Sequence, residues 1–303
     1  MKITNVFFAA LVVISAACSS SEKETPNGFK YTVLAKGDGN LAKPGQLLMV
    51  DFVFKDSKDS VWNDTYKAGM PAPVMINDSA SAATEFGVMQ MFRMLSPGDS
   101  VTCSMPIQKF FNEMAGGPVP PGIDTTLTMT YIFKVREITE VADFQANQMK
   151  LAEERSAKQL QSDIEAIDVH LAAKGITAEK MESGIRYVIT QAGKGPNAES
   201  GQATTVNYTG YTLDGLYFDS SIKKLAEEKG IYNPQREPYA PFDVTIDQTG
   251  VIKGWHEALK VMNKGSKATF YIPSPLAYGP RKVSNEINEN QILVFDIEMV
   301  DIK

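Results

Sequence analysis

The sequence predicts an α+β protein: two copies of one domain, each a curved antiparallel sheet wrapped on a short helix, joined by a helical connector. Three observations carry this expectation. β-Branched and aromatic runs bounded by Gly, Pro and Asn recur at Tyr187 to Thr190, Ala203 to Tyr211, Phe242 to Ile246, Lys267 to Ile272 and Ile292 to Ile302. One short run at helical spacing interrupts them, with Trp255, Leu259 and Met262 on one face. The chain also repeats itself. Asn27-Gly28-Phe29-Lys30-Tyr31 matches Ser183-Gly184-Ile185-Arg186-Tyr187. At the same separation Gly37 and Gly39 match Gly193 and Gly195, and Gly45-Gln46 matches Gly201-Gln202. The register runs ungapped from Val50-Asp51-Phe52 against Val206-Asn207-Tyr208 to Trp62-Asn63-Asp64 against Phe218-Asp219-Ser220, after which the second copy inserts a segment.

Taken in order, the chain opens with Lys2, an apolar stretch from Val6 to Ile14, and Ser15-Ala16-Ala17-Cys18. That is the layout of a secretory signal, and the apolar run is too short to span a bilayer. Small residues before a cysteine resemble the lipobox of bacterial lipoproteins, with Ser15 where that family usually has Leu. The resemblance implies removal of residues 1–17, a lipid on Cys18 and attachment to a lipid bilayer; an ordinary signal cleaved after Ala17 is the alternative. Residues 18–26 are polar, without a core-forming pattern, and are expected to form a tether.

Composition narrows the classes of function. Asp and Glu number 36 against 30 Lys and Arg, a net charge of −6, and no basic patch offsets it, which argues against nucleic acid as a partner. The two cysteines are Cys18 and Cys103. Once Cys18 is lipidated no intramolecular disulfide can form, and Cys103 lies in a strand-like run, where a buried inert thiol is expected. His170 and His256 have no cysteine near them, so neither a metal site nor a cofactor is expected.

The first copy occupies residues 27–138, the connector 139–176 and the second copy 177–303. From Thr139 to Lys174 the connector has no Pro or Gly and carries Leu160, Ile164, Ile167 and Leu171 at helical spacing. Gly175 is placed to end it. The helix is expected to be a spacer or a homodimer contact, with His170 solvated or between helices.

In the second copy Val206-Asn207-Tyr208-Thr209-Gly210, Asp214-Gly215, Phe218-Asp219-Ser220-Ser221, Val251-Ile252-Lys253-Gly254-Trp255, Ala277-Tyr278-Gly279 and Leu293-Val294-Phe295-Asp296-Ile297-Glu298 follow one another. In kind and order this set resembles the FKBP-type peptidyl-prolyl isomerases. The resemblance implies a half-barrel sheet around one helix, and a pocket floored by Trp255 and walled by Tyr208, Phe218, Phe242, Val251, Ile252 and Phe295. Tyr278 and Asp219 then form the polar edge and Ile287 closes the loop side. It further implies that the Ile252 N–H and the Tyr278 hydroxyl bond carbonyls of a bound proline-containing peptide.

Two departures are visible. Ile222 to Ala240 is an insertion expected either to edge the pocket or to be a solvated decoration, and Ile287-Asn288-Glu289-Asn290 stands where the family often has Ile-Pro-Pro-Asn.

By the repeat register the first copy has Phe52 for Tyr208, Trp62 for Phe218, Asn63 for Asp219, Ala72 for Phe242, Val88 for Trp255 and Phe111 for Tyr278. It lacks the indole, the carboxylate and the hydroxyl, so no catalysis is expected there. Met89, Met91, Phe92, Met94 and Leu95 are expected to fill its core, with an adaptable peptide-binding surface as the alternative. The chain is thus expected to be an exported, membrane-anchored lipoprotein of the bacterial envelope. Its second domain isomerises X–Pro bonds, the alternative being a non-catalytic chaperone or assembly lipoprotein that binds unfolded or proline-containing segments.

Overall fold

The structure is a computed structural model and describes residues 21–303 except 79 and 81. The signal stretch and Cys18 lie outside the described residues. Among the described residues no helix is long and apolar enough to cross a membrane. The chain divides into two units at Gln148/Met149, a point within the long connector helix.

The first unit contains strands β1 (Ser21–Glu24), β2 (Lys30–Ala35), β3 (Gln46–Asp56), β4 (Val61–Asp64), β5 (Ala72–Met75), β6 (Ser100–Pro106) and β7 (Thr128–Glu140), with short helices α1 (Thr65–Ala68), α2 (Gly87–Phe92) and α3 (Ile107–Phe110). The strands pair antiparallel in the order β1-β2-β6-β7-β3-β4, and β5 also pairs with β3. Alternate residues of β2, β6 and β7, among them Tyr31, Val33, Val101, Met105, Met129, Tyr131 and Phe133, face α2 and form the core with Val88, Met91, Phe92 and Leu95. The methionine-rich helix therefore fills its own core; of its run only Met94, 41% exposed, faces out. Cys103 is buried in that core, which pushes its thiol up to about 12, far from a reactive thiolate.

The tether is shorter than the sequence suggests. Ser21 to Glu24 pair with Val33 to Lys30 as an edge strand, and the turn closes where Thr25 N–H donates to Phe29 O at 2.9 Å. Strand pairing uses backbone groups, so a polar segment with no apolar alternation can still cover the open edge of β2. Composition could not report that.

The second unit repeats the topology. After the connector α4 (Val141–Ala173) come β8 (Glu179–Lys180), β9 (Arg186–Gln191), β10 (Lys194–Asn197), β11 (Ala203–Thr212), β12 (Tyr217–Ser220), α5 (Lys223–Glu228), β13 (Phe242–Thr245), α6 (Lys253–Lys260), β14 (Asn263–Lys264), β15 (Lys267–Ile272) and β16 (Leu293–Ile302). The sheet order β8-β9-β15-β16-β11-β12, with β13 beside β11, copies that of the first unit strand for strand. The burial pattern of α6 and its C-terminal extension also matches that of α2: Gly254, Trp255, Ala258, Leu259 and Met262 are buried where Gly87, Val88, Met91, Phe92 and Leu95 are.

Alternation along β15 and β16 sends Phe270, Ile272, Leu293, Phe295 and Ile297 towards α6, and Tyr271 and Val294 towards the opposite face. On that opposite face lie Ile167 and Leu171 of α4. Ile164 and Leu160 approach Gly184 so closely that a methyl group there would sit 2.8 Å from Ile164. The apolar stripe expected to act as a spacer or dimer contact is thus occupied by its own domain. Burying two such side chains contributes roughly 1.5–3 kcal/mol each. Arg186, 6% exposed, clamps the helix through bonds of 2.8 and 3.1 Å to Asp168, and this holds the Asp168 carboxyl below the usual carboxylate range. Gly175 ends the helix at φ 64°, a left-handed conformation that lets Ile176 N–H reach Leu171 O at 2.9 Å.

Candidate active site

β11 places Tyr208 and, two residues on, Gly210 on the face that looks at α6. β12 brings Phe218 and Asp219, β13 brings Phe242, and β16 brings Phe295. Helix α6 starts at Lys253 with Ile252 as its N-cap, so its first turn carries the indole of Trp255 into the hollow of the sheet.

The aromatic rings meet edge to face around Trp255, which is 4% exposed. Its ring centroid lies 5.0 Å from Tyr208, 5.3 Å from Phe295 and 6.3 Å from Phe242, with interplanar angles of 80°, 88° and 82°. Phe218 stands 5.7 Å from Phe295 at 82°. Such pairs add roughly 0.5–1.5 kcal/mol each beyond the area they bury. Val251, Ile252 and Tyr278 are half-buried against the same cluster, and Ile287 is buried in it. Every residue singled out in the second copy is therefore gathered at one place; Cys18 lies outside the described residues. Phe242 is 38% exposed and forms the outer lip.

Gly210 is what leaves room. A Cβ there would meet Phe218 at 2.5 Å and Phe295 at 2.8 Å, so only glycine lets both rings lie across the strand. The equivalent residue of the first unit is Phe54. Its ring stacks on Phe52 at 4.2 Å and stands 4.6 Å from Tyr131, whose place in the pairing is that of Phe295. The hollow is filled from within, and Trp62, the counterpart of Phe218, is 37% exposed with its indole N–H donating to Asp56 at 2.9 Å. Sequence comparison located the lost Trp, Asp and Tyr; the filling by Phe54 was missed, although a Gly-to-Phe exchange within an ungapped register was its signal.

The polar edge contains one residue that sequence reasoning did not single out. Tyr208 Oη donates to Asp219 Oδ2 at 2.5 Å, and Arg236 Nη1 donates to Tyr208 Oη at 2.9 Å and to Asp219 Oδ1. The guanidinium also lies 5.7 Å from the Tyr208 ring centre and 5.9 Å from that of Tyr239. Burial, then the hydrogen bond to Asp219, raises the Tyr208 hydroxyl well above its ordinary value, so it remains a proton donor.

Arg236 belongs to the insertion, which is thereby an edge of the pocket. The insertion is held in place by a Lys223–Glu237 ion pair of 2.6 Å and a Tyr232–Tyr239 stack at 5.8 Å. It also carries Lys223, Lys224 and Lys229, so a rim carboxylate in search of a cation did not identify which of the four would answer. Arg236→Ala is expected to leave the fold intact and to weaken binding at the pocket by about three- to tenfold, the worth of a partly screened charge-assisted bond. Titration of a proline-containing peptide into the two proteins measures it.

Val251, Ile252 and Tyr278, which pack against the aromatic cluster, also line a cleft of about 560 Å³ together with Lys253 and Arg281. Among the described residues neither the Ile252 N–H nor the Tyr278 hydroxyl has a hydrogen-bond partner. Both are thus available to a ligand. The segment bearing Tyr278 is fastened at its start by Asp163 of α4, 4% exposed, which accepts from Ser274 N–H and from Gln159 Nε2, both at 2.7 Å. At the other end Asn290 N–H donates to Gly279 O at 2.8 Å. Nothing in this constellation is a nucleophile or a strong base. It offers an apolar aromatic floor, a rim of donors and no metal-ligating cluster among the described residues.

Residues 195–300 match the family model described as FKBP-type peptidyl-prolyl cis-trans isomerase. The chain is similar to a probable FKBP-type peptidyl-prolyl cis-trans isomerase of Haemophilus influenzae, 37% identical over 130 residues, covering 43% of this chain and 47% of the relative. It is also similar to the outer membrane protein MIP of Legionella longbeachae, 36% identical over 123 residues, covering 41% and 46%. A probable FKBP-type isomerase FkpA of Neisseria meningitidis is 32% identical over 195 residues, covering 58% and 63%. The chain spans about half the length of the first two relatives and under two thirds of the third. With the family match centred on the Trp255 pocket, residues 195–300 are a domain of the FKBP-type peptidyl-prolyl cis-trans isomerase family.

Proposed function

We propose that the second domain accelerates cis–trans isomerisation of X–Pro bonds in exported proteins of the bacterial envelope, and that the chain is held there by a lipid on Cys18. The observation that carries the activity is the Trp255 box beside an unpaired Ile252 N–H and an unpaired Tyr278 hydroxyl. The lipobox-like Ser15-Ala16-Ala17-Cys18 supports the location. So does the similarity to a protein named as an outer membrane protein.

Rotation about an X–Pro bond breaks no covalent bond; its barrier of roughly 18–20 kcal/mol is the loss of amide resonance. A planar amide is more dipolar than a twisted one. Moving the carbonyl out of water onto the indole and Phe295 therefore disfavours the planar ground state relative to the twisted transition state. A 10⁴-fold acceleration requires about 5–6 kcal/mol of such differential stabilisation, within reach of desolvation plus one or two hydrogen bonds. Exchange spectroscopy on an X–Pro peptide with catalytic amounts of the protein tests this. Cis–trans exchange faster than in peptide alone is expected, and an unchanged exchange rate for every X–Pro sequence tried would refute it.

A binding role for the first domain has a specific observation behind it. Val61, Trp62, Tyr66, Met70, Met75 and Phe86 are all exposed on that one unit, apolar side chains that unfolded segments can contact. This is the chaperone alternative. It coexists with an isomerase in the second domain.

A further inference from the structure

The lining of the Tyr278 cleft has a one-sided charge. Lys253 and Arg281 are its charged residues, with no carboxylate among them. A second cleft, of about 630 Å³, adjoins it and shares Pro275, Gly279 and Pro280 as a common wall. Its far side is the exposed edge of α4, where Arg155, Ser156, Lys158, Gln159 and Ser162 face the loop, and Asn290 closes it. Again the charged residues are cationic only. In a protein of net charge −6, the charged residues lining these two joined clefts are all cations, Lys158, Lys253 and Arg281 with Arg155 beside them.

Lys158, Lys253 and Arg281 have no carboxylate partner among the described residues, and neither Glu154 nor Glu257, each four residues from one of these lysines, lines either cleft. The wall between the clefts is rigidly set, since Asp163 holds Ser274 and Asn290 holds Gly279.

We propose that these two clefts form one extended subsite for the flank of the bound segment, and that it selects proline-containing polypeptides with acidic residues beside the proline. This rests on the isomerase reading of the Trp255 pocket. A chain with its X–Pro bond over Trp255 and a carbonyl at Tyr278 continues across Gly279 and Pro280. There Lys158, the Ser156 and Ser162 hydroxyls and the Gln159 amide of α4 face an extended backbone and its acidic side chains. Charge complementarity of this kind acts on association and on partner choice more than on the chemical step, and it is screened by salt.

The test uses the full chain and three peptides sharing one X–Pro core, flanked by four Glu, four Ala or four Lys. At low salt kcat/KM for the Glu-flanked peptide is expected to exceed that for the Lys-flanked one by about tenfold or more, and the ratio is expected to fall towards one in 0.5 M salt. In the double variant Lys158→Glu with Arg281→Glu the ratio is expected to collapse or invert. A ratio near one in the wild type, or one unaffected by the double reversal, overturns the proposal while leaving the isomerase intact. Fluorescence anisotropy of the labelled Glu-flanked peptide separates the two readings. Salt-sensitive binding lost in the double variant, with no turnover of any peptide, sustains the subsite and removes the catalytic reading.

Discussion

Gly210→Phe is expected to abolish isomerase turnover while leaving the first domain untouched. The substitution places in the second copy the residue that the first copy carries at the same position of β3, Phe54. A Cβ at residue 210 already falls 2.5 Å from Phe218 and 2.8 Å from Phe295, so a full ring must drive one or both aside. In the first copy the outcome is on display: the ring at 54 stacks on Phe52 and Trp62 stands at the surface. The domain has a precedent for accommodating the ring, so the strain is expected to cost about 1–3 kcal/mol in stability. The pocket, by contrast, is filled. Exchange spectroscopy is expected to show at least a hundredfold lower kcat/KM, with circular dichroism retaining the strand signature. Retention of full activity would mean that the aromatic hollow is not where the amide rotates.

Trp255→Leu carries the second large effect. The indole is buried against Tyr208, Phe242 and Phe295, and its loss removes the surface on which the prolyl ring and its carbonyl are expected to lie. Stability should fall by about 2 kcal/mol, a shortened side chain leaving part of the site empty. Turnover should fall more steeply, by about 10- to 100-fold, because the floor contributes to the twisted state specifically. A change in kcat with KM less affected distinguishes this from general loosening, which would weaken binding of any peptide. Val88→Trp in the first domain is the companion experiment. No activity is expected to arise, since Phe54 occupies the hollow the indole would have to floor.

Arg236 connects the pocket to the insertion that makes the second copy longer than the first. The repeat showed where the extra residues enter, after Ser221, but their effect is spatial: the segment returns one guanidinium to a carboxylate and a phenol on two different strands. Its partners lie 17 and 28 residues away along the chain, with no periodicity to connect them. A rim built in this way can change specificity without touching the aromatic floor.

By itself the sequence determined the class of fold, the duplication and the long helix between the copies; the aromatic residues of the second copy were marked by their resemblance to the FKBP-type family. The first three are written in local chemistry: alternation, helical spacing and glycines at fixed intervals. Tertiary structure alone decided four matters. The polar residues 21–24 became an edge strand, because backbone pairing ignores side-chain hydrophobicity. The connector's stripe met its own domain's sheet, because an apolar face does not name its partner. Arg236 took the rim, because ion pairs form across space and not along the chain. And the space that Phe54 fills in the first copy is left to Phe218 and Phe295 in the second, because what a glycine or a phenylalanine at one position does depends on the rings around it, which come from other strands.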